Sequence, residues 1–170
     1  MSKEDSTALI RQPVAGQVSF DDAAVDELWR YTHGHPYLLQ YLCKELIDEM
    51  NRRGEGNYIA IGHVNKAIEK LLAEQNMHLN NLWDDCSKNE KAILFVLAES
   101  DELMKKGVTQ FGLGEKLADL NENDITNTLT KLVKRELVES LNPYERGATP
   151  VFVHKILLFS RWIYRNKTAE

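Results

Sequence analysis

Asn121–Ser140 reads NENDITNTLTKLVKRELVES, and the fold of the second half of the chain turns on it. Asn121, with Asp124 three residues on, marks a helix start. Ile125, Leu129, Leu132 and Val133 then fall on one helical face. Beyond the helix, LVESL at 137–141 and VFVH at 151–154 read as two short strands around the turn-rich NPYERGATP. Upstream, SKNE at Ser87–Glu90 is a capping box that opens a helix with Ile93, Leu94 and Leu97 inward. LMKKGVT at 103–109 reads as a loop, and a short helix from about Phe111 to Leu120 carries Leu113 and Leu117. A last helix, KILLFSRWIYR, closes the chain, with Phe159 and Trp162 as core residues. Helix, helix, helix, hairpin is the order of a winged-helix unit, a helix-turn-helix with a β-hairpin wing.

The first half is helical throughout. Residues 1–18, with Pro13 and Gly16, read as a tail or linker. Ser19, with Asp22, is a variant capping box for a helix carrying Phe20, Ala24, Leu28 and Tyr31. Gly34 ends that helix, and Pro36 begins the next, whose stripe is Leu39, Leu42, Leu46 and Met50. After RRGEGN and a short extended piece, Val64, Ile68, Leu71 and Leu72 mark a third helix. Leu79, Leu82 and Trp83 extend its stripe to about Asp85. The expected organisation is mainly α: a tail over 1–18, a small helical bundle over 19–86, a winged helix over 87–165 and a C-terminal tail over 166–170.

The chain has 170 residues, 43% of them hydrophobic and 28% charged, with a formal net charge of −5. That composition suits one ordinary domain or two small ones with a buried core. Residues 1–86 hold 8 Lys and Arg against 14 Asp and Glu, and residues 87–170 hold 13 against 12. Neither half is the basic body of a dedicated nucleic-acid binder. No apolar run approaches the roughly 18 residues of a membrane span, and MSKEDSTALIRQ has no signal-peptide core. Two cysteines, Cys43 and Cys86, make no disulfide framework, so a reducing, cytoplasmic setting is expected.

Chemistry-bearing motifs are few. FGLGEK at 111–116 has the wrong spacing for a phosphate loop and no strand before it. NLWDD at 81–85 follows no apolar strand, so it reads as a helix end rather than a Mg²⁺-binding strand. The chain therefore lacks both the Walker A and the Walker B parts of a P-loop ATPase, and catalysis by it alone is not expected. The histidines 33, 35, 63, 78 and 154 form no metal-ligand spacing, so no metal site is expected.

LIRQPVAG, GHPYLLQYLC, HVNKAIEKLL, SKNEKAILFVLA and the terminal VFVHKILLFSRWI follow one another in an order that resembles the C-terminal part of a STAND-type ATPase. That class is related to the AAA+ ATPases and similar in layout to the origin-recognition ATPases. The resemblance covers about residues 8 to 165, and GHPYLLQ is its most specific part. It implies a helical lid and a winged helix that regulate nucleotide held by a separate, upstream P-loop domain. No cofactor is implied for this chain alone, and ATP or ADP with Mg²⁺ when it is joined to that domain. Gly34, His35 and Pro36 match the family's G-x-P turn, whose proline lies against the adenine. His154 and Lys155 stand where one branch of the family has a Met-His-Asp motif, whose histidine contacts ADP phosphates. Only the histidine matches, since Lys155 replaces an acidic residue. A hinge is expected near Asp85–Ser87.

Two other functions compete. A DNA-binding winged-helix regulator would use Lys131, Lys134, Arg135 and Arg146. Glu122 and Asp124 oppose it, because they sit in the first turn of the helix that would enter the groove. A protein-interaction adaptor without nucleotide would use the winged helix for protein contacts. No membrane partner is expected.

Overall fold

The structure, a computed structural model, describes residues 1–54, 56–74, 76–142 and 149–167. It is mainly helical, with small sheets, and its residues divide into two compact units, Met1–Glu74 and Gln75–Glu170.

Unit 1 begins with a helix where a tail was expected. Ser2 caps α1, Lys3–Arg11, by accepting the Asp5 amide hydrogen at 3.0 Å. Ile10 and Ser6 are buried on its inner face. The two-residue strand β1, Ser19–Phe20, pairs in parallel with β2, Tyr58–Ile59. Ser19 thus belongs to a strand, and Asp21 is the cap of α2, Asp22–Thr32, its carboxylate accepting from the Ala24 amide. Next come α3, Pro36–Arg53, and α4, Ile61–Ala73. Their predicted stripes are all buried: Leu39, Leu42, Leu46 and Met50 on α3, and Val64, Ile68, Leu71 and Leu72 on α4. Each such side chain contributes roughly 1.5–3 kcal/mol of transfer free energy.

The sequence predicts one helix from Val64 to Asp85, and the structure breaks it. Glu74 turns to extended backbone at φ −91°, ψ 153°. Asn76 then starts α5, Met77–Asp84, by accepting from the amides of His78 and Leu79. An asparagine side chain that satisfies two first-turn donors outweighs the continuity of the apolar stripe. The boundary between the units therefore falls at Glu74/Gln75 rather than at 86/87. Cys86 lies just past the end of α5.

Unit 2 continues with α6, Lys88–Ala98, opened by the Ser87–Glu90 capping box. The Ser87 amide donates to Glu90 Oε2 at 2.8 Å, and the Glu90 amide to Ser87 Oγ at 3.3 Å. The stretch expected as a loop holds α7, Asp101–Lys106, capped by Ser100, and β3, Val108–Thr109. Gly107, at φ +74°, joins them, and a Cβ there would sit 2.8 Å from the Phe152 carbonyl oxygen. The helices α8, Gln110–Lys116, and α9, Glu122–Lys134, follow. Asn121 caps α9 as predicted, and Ile125, Leu129 and Leu132 are buried, but Val133 is 39% exposed. The strands β4, Val138–Leu141, and β5, Val151–His154, pair antiparallel from Val138 opposite His154 to Leu141 opposite Val151. β3 adds to the other side of β5, giving a three-stranded sheet in the order β3-β5-β4. α10, Leu157–Asn166, completes the unit with Phe159 and Trp162 fully buried.

The connection between α2 and α3 is the tightest point of unit 1. His33 and Gly34 both adopt left-handed backbone, at φ +46° and +67°. A Cβ on Gly34 would overlap Trp29 Cζ3 and lie 2.7 Å from the Met1 carbonyl oxygen. Gly34→Ala is therefore expected to destabilise the chain by about 2–4 kcal/mol, through strain and a clash together. Pro36→Ala removes no intrahelical donor and should change stability by less than about 1 kcal/mol. Urea unfolding checks both, and a Gly34→Ala variant as stable as wild type would contradict the reading.

Candidate functional site

The Gly34–Pro36 turn is built by its neighbours. α2 ends as the His33 amide bonds the Trp29 carbonyl at 2.7 Å, and the His35 amide bonds the Thr32 carbonyl at 2.9 Å. Buried Thr32 donates its hydroxyl to the Leu28 carbonyl and accepts from the Gly34 amide at 3.3 Å. Gly34 is buried, His35 half-buried and Pro36 exposed. Pro36 occupies the first position of α3, where its missing N–H costs nothing. Beside it Tyr37 is 48% exposed, and its ring stacks on that of Tyr41 with centroids 6.4 Å apart. An exposed proline and an aromatic pair thus share the start of an 18-residue helix. The positive end of such a helix favours negative charge nearby. The Tyr41 partner of Tyr37 carries no sequence signal beyond the i, i+4 spacing of the two on α3.

His154 does not belong to this kind of surface. Its ring is buried, and Nε2 donates to the Leu94 carbonyl of α6 at 2.8 Å. Because a carbonyl only accepts, the neutral ring carries its proton on Nε2. Nδ1 has no hydrogen-bond partner among the described residues. Burial pulls the imidazole pKa down to about 4, against the opposing effect of the Leu94 bond. The phosphate contact expected of His154 thus loses its basis, since the residue is a packed, neutral tie between β5 and α6. Lys155, its expected companion, pairs with Glu136 at 2.9 Å, and its amide bonds the Leu137 carbonyl.

The residues expected for DNA binding differ in their partners. Lys131 and Lys134 are exposed on α9. Arg135 is exposed as well, but its guanidinium already bonds Glu90 Oε1 at 2.9 Å and lies 3.7 Å from Cys86 Sγ. Desolvation works against the Glu90 carboxylate, but its bonds to Ser87 and Arg135 prevail and hold its pKa below the usual range. Arg135 therefore ties the end of α9 to the capping box of α6. Arg146 lies outside the described residues. Glu122 is exposed in the first turn of α9, as expected, whereas Asp124 is half-buried.

Unit 1 also holds two apolar grooves. One, of about 280 Å³, runs between α3 and α4 over Leu42, Leu46, Met50 and Leu71. The other, of about 310 Å³, lies between α1 and α3 beside Leu9, Val14 and Ile47. Cys43 lines the second, and burial pushes its thiol up to about 12, so it is not a nucleophile at neutral pH. Among the described residues no group of three or more His, Cys, Asp or Glu is placed to hold a metal ion. None of their helices is long and apolar enough to cross a membrane. Comparison with protein-family models, with curated proteins and with solved structures gives no match.

Two outcomes follow from this arrangement. The folded pKa of His154 lies below its unfolded value of 6.5, so its effect is absent above pH 6.5. As pH falls from 6.5 towards 4 the unfolded chain takes up a proton that the native chain refuses, and about 3 kcal/mol of stability is lost. His154→Gln keeps a donor to Leu94 and should flatten the stability profile between pH 6.5 and 5; an unchanged slope would contradict the assignment. DNA binding should be weak and unselective, with a Kd no tighter than about 10⁻⁶ M in about 0.15 M salt. A fluorescence-anisotropy titration showing tighter, sequence-selective binding would overturn that expectation.

Proposed function

We propose that the chain is the regulatory lid and winged-helix portion of a STAND-type or AAA+-related ATPase. Unit 1 would close over nucleotide held by a separate P-loop domain, and unit 2 would pass on the nucleotide state through contacts with other proteins. The observation that carries the reading is the Gly34-His35-Pro36 turn. Gly34 is locked into left-handed backbone with no room for a side chain, and Pro36 is left exposed at the start of α3. A rigid, apolar proline packs on a purine face without offering a competing hydrogen bond. Tyr37 adds an aromatic face beside it.

For unit 2, the reading rests on the order α6, α7, β3, α8, α9, β4, β5, in which, with the short α7 counted as an insertion after α6, a helical pair precedes an antiparallel strand pair. This is the element order of a winged helix. His154 has no nucleotide role in this proposal; it supports the unit from within. Arg135 likewise is a structural tie, and that weakens the DNA-binding alternative.

The test is an amide chemical-shift titration of the chain with ADP to about 10 mM, because a lone lid should bind no tighter than the millimolar range, about −4 kcal/mol. Shifts are expected at His35 and Tyr37–Tyr41, with adenosine producing most of them and Pro36→Ala reducing them. Shifts centred elsewhere, or none, would count against the reading. ATP turnover by the chain alone, surviving further purification, would contradict it as well.

A further inference from the structure

Three helices of unit 2 meet at one indole. Trp83 of α5 is buried, and Lys91 of α6 stands 5.8 Å from its ring centroid. Lys167, at the end of α10, places Nζ 6.0 Å from the Trp83 centroid and 4.8 Å from that of Trp162. The same Nζ donates to Asn80 Oδ1 of α5 at 3.2 Å. Its own amide closes α10 by bonding the Ile163 carbonyl at 2.9 Å. Lys167 thus ends one helix with its backbone and grips another with its side chain.

α5 needs such a grip. It has eight residues and buries only Leu79 and Trp83, while Met77 is 77% exposed. A helix of that length is not stable unaided in water. It also comes first in unit 2, directly after the boundary at Glu74/Gln75.

We propose that Lys167 is a latch that holds α5 on unit 2 and so sets the length of the connection between the two units. With the latch closed, unit 2 is helical from α5 onward, beginning at the cap Asn76. With it open, α5 leaves its seat and the connection extends to the capping box of α6 at Ser87. The device depends on cationic charge between two indole faces, so loss of that charge opens it. It stands apart from the nucleotide reading, and no nucleotide enters its test.

The experiment is amide hydrogen exchange on the full chain, comparing wild type, Lys167→Met and Lys167→Arg. Lys167→Met should speed exchange in α5 by about tenfold while leaving the core amides of α6 within about twofold of wild type. Lys167→Arg keeps the cation over the rings and should exchange like wild type. Unchanged α5 exchange in Lys167→Met would overturn the latch. Equal acceleration of α5 and α6 would overturn it too, by showing a general loss of stability instead of local release.

Discussion

Gly34 has no room for a side chain, and unit 1 is arranged around that fact. Trp29 from α2, the Met1 carbonyl and Ser6 from α1 all close on the same point. The left-handed pair His33–Gly34 reverses the chain there, so that α3 leaves at an angle that buries Leu38, Leu39 and Leu42. The hydroxyl of Thr32 satisfies the Gly34 amide, so the turn leaves that buried donor paired. Burial falls along the turn, from buried Gly34 through half-buried His35 to exposed Pro36, where the helix begins. The feature that looks functional is thus positioned by one that is purely steric.

Unit 2 relies on polar ties inside an apolar frame. Glu90 serves both the amide of Ser87 and the guanidinium of Arg135, joining the start of α6 to the end of α9. His154 joins β5 to the middle of α6 through the Leu94 carbonyl. His154 is thereby buried and committed to packing, whereas Arg135 is exposed but holds a carboxylate partner. A buried group that already has a partner, or whose charging is opposed by its surroundings, is poorly suited to meet phosphate. Among the described residues expected for DNA binding, Lys131, Lys134 and the Glu90-paired Arg135 are exposed, a small electrostatic footprint for nucleic acid.

Much of the architecture was legible in the sequence because it is written in local signals. The Ser87–Glu90 box, the Asn121 cap and the 3.6-residue stripes of α3, α4 and α9 are decided by neighbours within one or two turns. The misses have equally specific causes. α1 was hidden because its nine residues bury only Ser6 and Ile10, too few for a visible stripe. The break at 74–76 was hidden because Leu79 and Trp83 keep the apolar phase of α4 although they belong to the other unit. The pairing of β3 with β5 spans more than forty residues, beyond anything periodicity reports. For the candidate site, Gly34 and Pro36 could be read from their residue types, since each has a strong backbone preference. The burial of His154 could not, because it depends on where α6 lies against β5.

On the proposed reading, the exposed Pro36–Tyr37 face meets a purine base. Photolabelling with 8-azido-ADP places a reactive group on the base itself, and peptide mapping then reports the site of attachment. The label is expected within residues 34–41, competed by excess ADP and diminished in Pro36→Ala. Label confined to α9 or to residues of unit 1 outside 34–41, or label that excess ADP leaves unchanged, would contradict that reading.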